Sequence, residues 1–80
     1  MTDLDDAELV RKAMADLIGS PDLTADDDLF DAGGDSMMAI RLAWRLAKAT
    51  GLEVNVAEDI MVDPTPRAIA QRLADKRAAA

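Results

Sequence analysis

The sequence predicts an all-α fold: a small bundle of three longer helices and one short one. Three observations carry this. Apolar residues recur at helical spacing in three separate windows, and glycines, prolines and short polar residues punctuate the chain between them. The one stretch that alternates like a strand, Leu52, Val54 and Val56, has no second strand to pair with and reads as an extended linker turning apolar side chains inward. At 80 residues the chain is expected to form one domain spanning residues 1–80. Its apolar half includes 16 alanines, so the core must be built from 24 larger side chains, only two of them aromatic, Phe30 and Trp44. That supports modest stability, since cores of this size rarely gain more than about 3 to 5 kcal/mol.

The first helix is expected over about 3–18. Val10, Met14, Leu17 and Ile18 share a face, and Asp5, Asp6 and Glu8 suit the positive end of the helix dipole. Gly19-Ser20-Pro21 ends it. A long loop follows, rich in turn formers but holding Leu23, Leu29 and Phe30, which are expected to pin it to the core. The second helix, about 35–50, opens at Asp35 or Ser36, both good N-caps, and stops at Gly51 with Lys48 in its last turns. A short helix over about 57–62 is limited by Pro64. The last, about 66–77, starts at Thr65-Pro66, sets Ile69, Ala70, Leu73 and Ala74 on one apolar face, and ends near Lys76 and Arg77.

Composition removes whole classes of function. Without His or Cys the chain supplies no Ser-His-Asp or Cys-His constellation, no thiolate nucleophile and none of the usual zinc ligands, which points to a binding, carrier or interaction module. A net charge of −7 argues against nucleic acid as a partner. No run approaches the length of a membrane span, and the first 15 residues carry acids where a secretory leader needs basic then apolar residues, so a cytoplasmic location is expected. The charge is unevenly spread: residues 1–40 hold 11 acids and two bases, residues 41–80 five acids and seven bases.

The chemically distinctive segment is Gly33-Gly34-Asp35-Ser36, where the long loop meets the second helix. A hydroxyl at Ser36 would stand where backbone amides and the helix dipole favour an anion such as phosphate. Two residues without Cβ would let another molecule approach it, while Asp35 would either cap the helix or help place a metal on an incoming donor. The Asp-rich loop does not match a calcium-binding EF-hand. In the register starting at Asp28, Gly33 falls correctly, but Phe30 and Ala32 occupy ligand positions and Ala39 the twelfth. No metal site is expected.

The segment from Asp28 to Met38, DLFDAGGDSMM, resembles the core motif of thiolation domains, the peptidyl carrier proteins of nonribosomal peptide synthesis. The order of helices, the long loop and the Asp63-Pro64-Thr65-Pro66 lead into the last helix are similar to that family over nearly the whole chain, which implies a four-helix bundle of the acyl-carrier-protein type. The resemblance further implies that a phosphopantetheinyl transferase moves 4′-phosphopantetheine from coenzyme A onto Ser36, with Gly33, Gly34 and Asp35 completing the attachment motif. The arm's thiol then carries an aminoacyl or peptidyl group between an adenylation enzyme and condensation, tailoring or thioesterase enzymes. The chain would be a substrate of these enzymes rather than a catalyst. Met1 and the end soon after the last helix suggest a free-standing carrier, the alternative being a piece of a larger synthetase, and a monomer is expected. Two departures stand out: Ala32 replaces a larger aliphatic residue, and Met37-Met38 replace leucines. A fatty-acid or polyketide acyl carrier would share the fold and arm, and an unmodified acidic interaction domain is a further alternative. The glycine pair and a basic second helix favour the peptidyl type.

On a helical wheel, Arg41, Arg45 and Lys48 form a polar stripe. Ile40, Ala43 and Ala47 lie opposite it and are expected to be buried, with Met37, Met38 and Trp44 toward its borders. A docking edge for partner enzymes is therefore expected at Met37, Met38 and Arg41, extended by Met61.

Overall fold

The computed structural model describes residues 2–79. Among these, three α-helices, α1 (Thr2–Ile18), α2 (Ser36–Thr50) and α3 (Pro66–Ala79), and one short π-helix, Val56–Met61, make up the regular structure, with no strand. Packing of α1 against α3 is the most extensive interface; α2 lies against α1 on one side and the π-helix on the other. The core between them contains Val10, Met14, Leu42, Leu46, Ile60, Ile69 and Leu73, all fully buried, and the long loop contributes Leu23 and Leu29.

Each helix end has a local cause. Gly19 and Ser20 both return their amides to the Ala15 carbonyl, closing α1. At the other end of the loop Asp35 caps α2, and Gly51 ends it by donating to the Ala47 carbonyl at 2.8 Å. The π-helix begins one residue earlier than its sequence suggests, leaving Val62 as its C-cap. Asn55 and Asp59 close its single wide turn: the Asp59 amide donates to the Asn55 carbonyl at 2.7 Å, while Asp59 Oδ2 accepts the Asn55 amide at 2.8 Å. Leu52, Val54 and Val56, half-buried, pack against the core along the linker.

Two buried carboxylates tie the last turn of α3 to its neighbours. Asp6 of α1 pairs with Arg77, and Asp59 of the π-helix pairs with Lys76 at 2.9 Å. The two basic residues expected merely to suit the helix dipole are thus interhelical partners of buried acids, which satisfies those acids.

Three expected core positions are not fully buried. Phe30 remains 36% exposed while its neighbour Leu29 fills the site under the loop. Ile40 is 38% exposed and Ala47 only half-buried; Ala39, Leu42, Ala43 and Leu46 make the buried face of α2 instead. The core face is therefore turned by about 40° from the antipode of the basic stripe, at 100° per residue. Met37, Ile40 and Trp44 are left on one uncovered apolar arc.

Candidate functional site

The segment before α2 is a compact coil rather than a free loop. Asp28 Oδ1 accepts the amides of Phe30 at 2.8 Å and Asp31 at 3.2 Å, and the Asp28 carbonyl accepts that of Ala32 at 2.9 Å. Gly33 donates to the Phe30 carbonyl at 3.1 Å and Gly34 to the Leu29 carbonyl at 2.8 Å. Leu29 anchors the coil, with its side chain fully buried and its amide donating to the Pro64 carbonyl at 2.9 Å. Ala32 packs half-buried against the core, beside an open recess of about 420 Å³ that it lines with Leu23, Asp28 and Asp31.

The two glycines have different reasons. Gly33 has a φ of 104°, in the region that disfavours a side chain, and a Cβ there would meet nothing within 4 Å, so the space beside it is open. At Gly34 a Cβ would lie 2.7 Å from Leu29 Cδ1 and 2.8 Å from the Leu29 carbonyl oxygen, closer than packing allows.

Asp35 adopts an extended conformation, with φ at −137°, and its Oδ1 accepts the Met38 amide at 2.9 Å. Of the two roles the sequence left open for Asp35, the structure displays the cap. Ser36 follows as the first residue of α2, exposed, with the helix-opening amides around it. A nucleophilic oxygen thus stands at the positive end of a capped helix, beside a position with no side chain. These residues suit an attached phosphate: the helix N-terminus stabilises the anion, and the open side at Gly33 gives a donor access. The sequence offers neither a His nor a Cys as a base toward the hydroxyl.

A family of proteins described as "Phosphopantetheine attachment site" matches residues 8–73. The chain belongs to this family. Its members carry covalently attached 4′-phosphopantetheine and act as bearers of substrates, not as catalysts. The chain is 36% identical over 66 residues to a nonribosomal peptide synthetase, CymA, of Salinispora arenicola, a match covering 82% of this chain and 1% of that protein. It is 33% identical over 66 residues to the phosphinothricin tripeptide synthetase PhsB of Streptomyces viridochromogenes, covering 82% of this chain and 6% of that protein. The polyketide synthase GfsA of Streptomyces halstedii is 40% identical over 70 residues, covering 84% of this chain and 1% of that protein. The chain therefore spans only 1 to 6% of the length of these curated relatives.

For this phosphopantetheine-attachment domain, the surface around Ser36 is divided. Met37 is 56% exposed, Arg41 is exposed and Met61 is 39% exposed, whereas Met38 is half-buried against the core. Sequence reasoning missed Ile40 and Val62, both exposed, which join Met37, Trp44 and Met61 among the uncovered apolar side chains. Along the neighbouring arc of α2 run Arg41, Arg45 and Lys48, all exposed, with Arg45 lying 3.6 Å from Asp16 of α1. Among the described residues no helix is long and apolar enough to cross a membrane.

Proposed function

We propose that the chain is a peptidyl carrier protein whose Ser36 oxygen bears the phosphopantetheine arm. The observation that carries this reading is the exposed Ser36 at the first position of α2, with Asp35 capping the helix and Gly33-Gly34 forming the turn before it. In the attachment reaction Ser36 Oγ forms a bond to the pantetheine-bearing phosphorus of coenzyme A. The bond from that phosphorus to the nucleotide phosphate breaks, adenosine bisphosphate leaves, and the hydroxyl proton passes to a base on the transferase. The helix N-terminus favours the resulting phosphodiester anion, the absent side chain at Gly33 leaves the donor's path open, and Gly34 lets the coil close on Leu29. When bound, the arm supplies a thiol that carries an acyl group as a thioester.

The partners in this reading are a phosphopantetheinyl transferase, an adenylation enzyme, and condensation, tailoring or thioesterase enzymes, acting in the cytoplasm on a monomeric carrier. Met37, Arg41 and Met61 form its docking edge with Ile40 and Trp44 beside them, while Met38 contributes mainly by packing. Similarity to nonribosomal peptide synthetases and the basic stripe on α2 support the peptidyl type. Similarity to a polyketide synthase gives the acyl-carrier alternative its own support. Loading tests decide: the holo protein should accept amino acids from adenylation enzymes, and loading only by malonyl- or acyl-transferring enzymes would overturn the peptidyl assignment.

A further inference from the structure

The coil that presents Ser36 is braced from a distance by the start of α3. Arg67, the second residue of α3, sends its guanidinium to Asp26 in the loop, with Nε 2.7 Å from Oδ1 and a second nitrogen 3.3 Å from Oδ2. The Arg67 amide donates to the Ala25 carbonyl at 2.9 Å, and three residues earlier the Pro64 carbonyl accepts the Leu29 amide at 2.9 Å. These bonds hold two points of the loop against one short segment, and the second point, Leu29, accepts the amide of Gly34 directly before the cap of α2.

Arg67 sits poorly for α3 itself. A cation in the first turn opposes the helix dipole, and that turn contains no acidic residue of its own. The carboxylate that answers it belongs to a loop 41 positions away. Resting on the assignment of Ser36 as the attachment point, we infer that Arg67 is a positioning residue for arm transfer, acting through Asp26 to keep the Ser36 coil in the conformation the transferase binds.

The pair is exposed, with side chains 68% and 71% accessible, so its loss is expected to change global stability little. Its effect falls on the fraction of molecules whose coil is competent, and a smaller competent fraction raises the apparent dissociation constant in proportion. The signature is therefore a higher KM for the carrier at unchanged kcat, a split that direct loss of the acceptor does not produce.

The test is the steady-state kinetics of a promiscuous phosphopantetheinyl transferase on wild type, Arg67→Ala, Asp26→Ala and the charge-exchanged double variant Asp26→Arg/Arg67→Asp, with thermal melts of each. Each single variant is expected to raise KM about threefold with kcat and melting temperature near wild type, as suits an exposed ion pair. The double variant is expected to recover, because it reforms the pair with its ends reversed. Wild-type KM in both single variants overturns the inference. So does a double variant as poor as the singles, which would mean that the transferase reads these charges directly. Failure of the wild type itself to gain an arm overturns the Ser36 assignment and this inference with it, whereas arm addition that is indifferent to the pair overturns this inference alone.

Discussion

Leu29 and Gly34 are held together twice. The Leu29 carbonyl accepts the Gly34 amide at 2.8 Å, and the buried Leu29 side chain occupies the space a Cβ at position 34 would need. Burial of one leucine thereby fixes the backbone two residues before Ser36.

Replacing Gly34 with alanine must displace Leu29 or its carbonyl. We expect Gly34→Ala to cost about 1 to 3 kcal/mol, the usual range for overpacking, and to slow arm transfer to Ser36. Urea denaturation measures the first effect and transferase kinetics the second. Unchanged stability and rate would mean that the contact is not rigid.

The two apolar faces of α2 should separate in mutagenesis. Leu46 is fully buried and Trp44 is 74% exposed. Leu46→Ala is expected to destabilise by about 2 to 5 kcal/mol. Trp44→Ala should stay within about 0.5 kcal/mol of wild type while weakening transfer to or from a partner enzyme. A large stability loss from Trp44→Ala would place that side chain in the core instead of the docking edge.

Acid sensitivity should be traceable to Asp59. Burial raises its carboxyl, but the Asn55 amide, the Lys76 ammonium and the charge of Arg72 outweigh burial and hold it below the ordinary aspartate range. A carboxyl lowered in the folded state contributes stability that is fully present above its unfolded value, about 3.9, and is lost as pH falls through the folded value. Asp59→Asn should therefore destabilise at neutral pH and flatten the acid side of the stability profile. A parallel profile in the variant would assign the acid limb to other groups.

The position of Ser36 at the start of α2 was legible because caps and glycines are local signals, and the long loop's anchoring was half legible through Leu23 and Leu29. The π-helix was visible only as a short helix, since six residues are too few to distinguish an i→i+5 repeat from an i→i+4 one. Ile40 was misplaced for a definite reason. A helix with one narrow charged stripe has two apolar flanks, and hydrophobicity alone does not say which flank α1 and the π-helix will cover. The pairs Asp6–Arg77 and Asp26–Arg67 join residues 71 and 41 positions apart, and no periodicity records such partners.

The central claim is that Ser36 is the oxygen that receives the arm. Intact mass before and after incubation with coenzyme A and a promiscuous transferase tests it most directly, on wild type and Ser36→Ala in parallel. The account expects the wild type to gain the mass of one phosphopantetheine and Ser36→Ala to gain none; no gain on the wild type, or an equal gain on both, would contradict it.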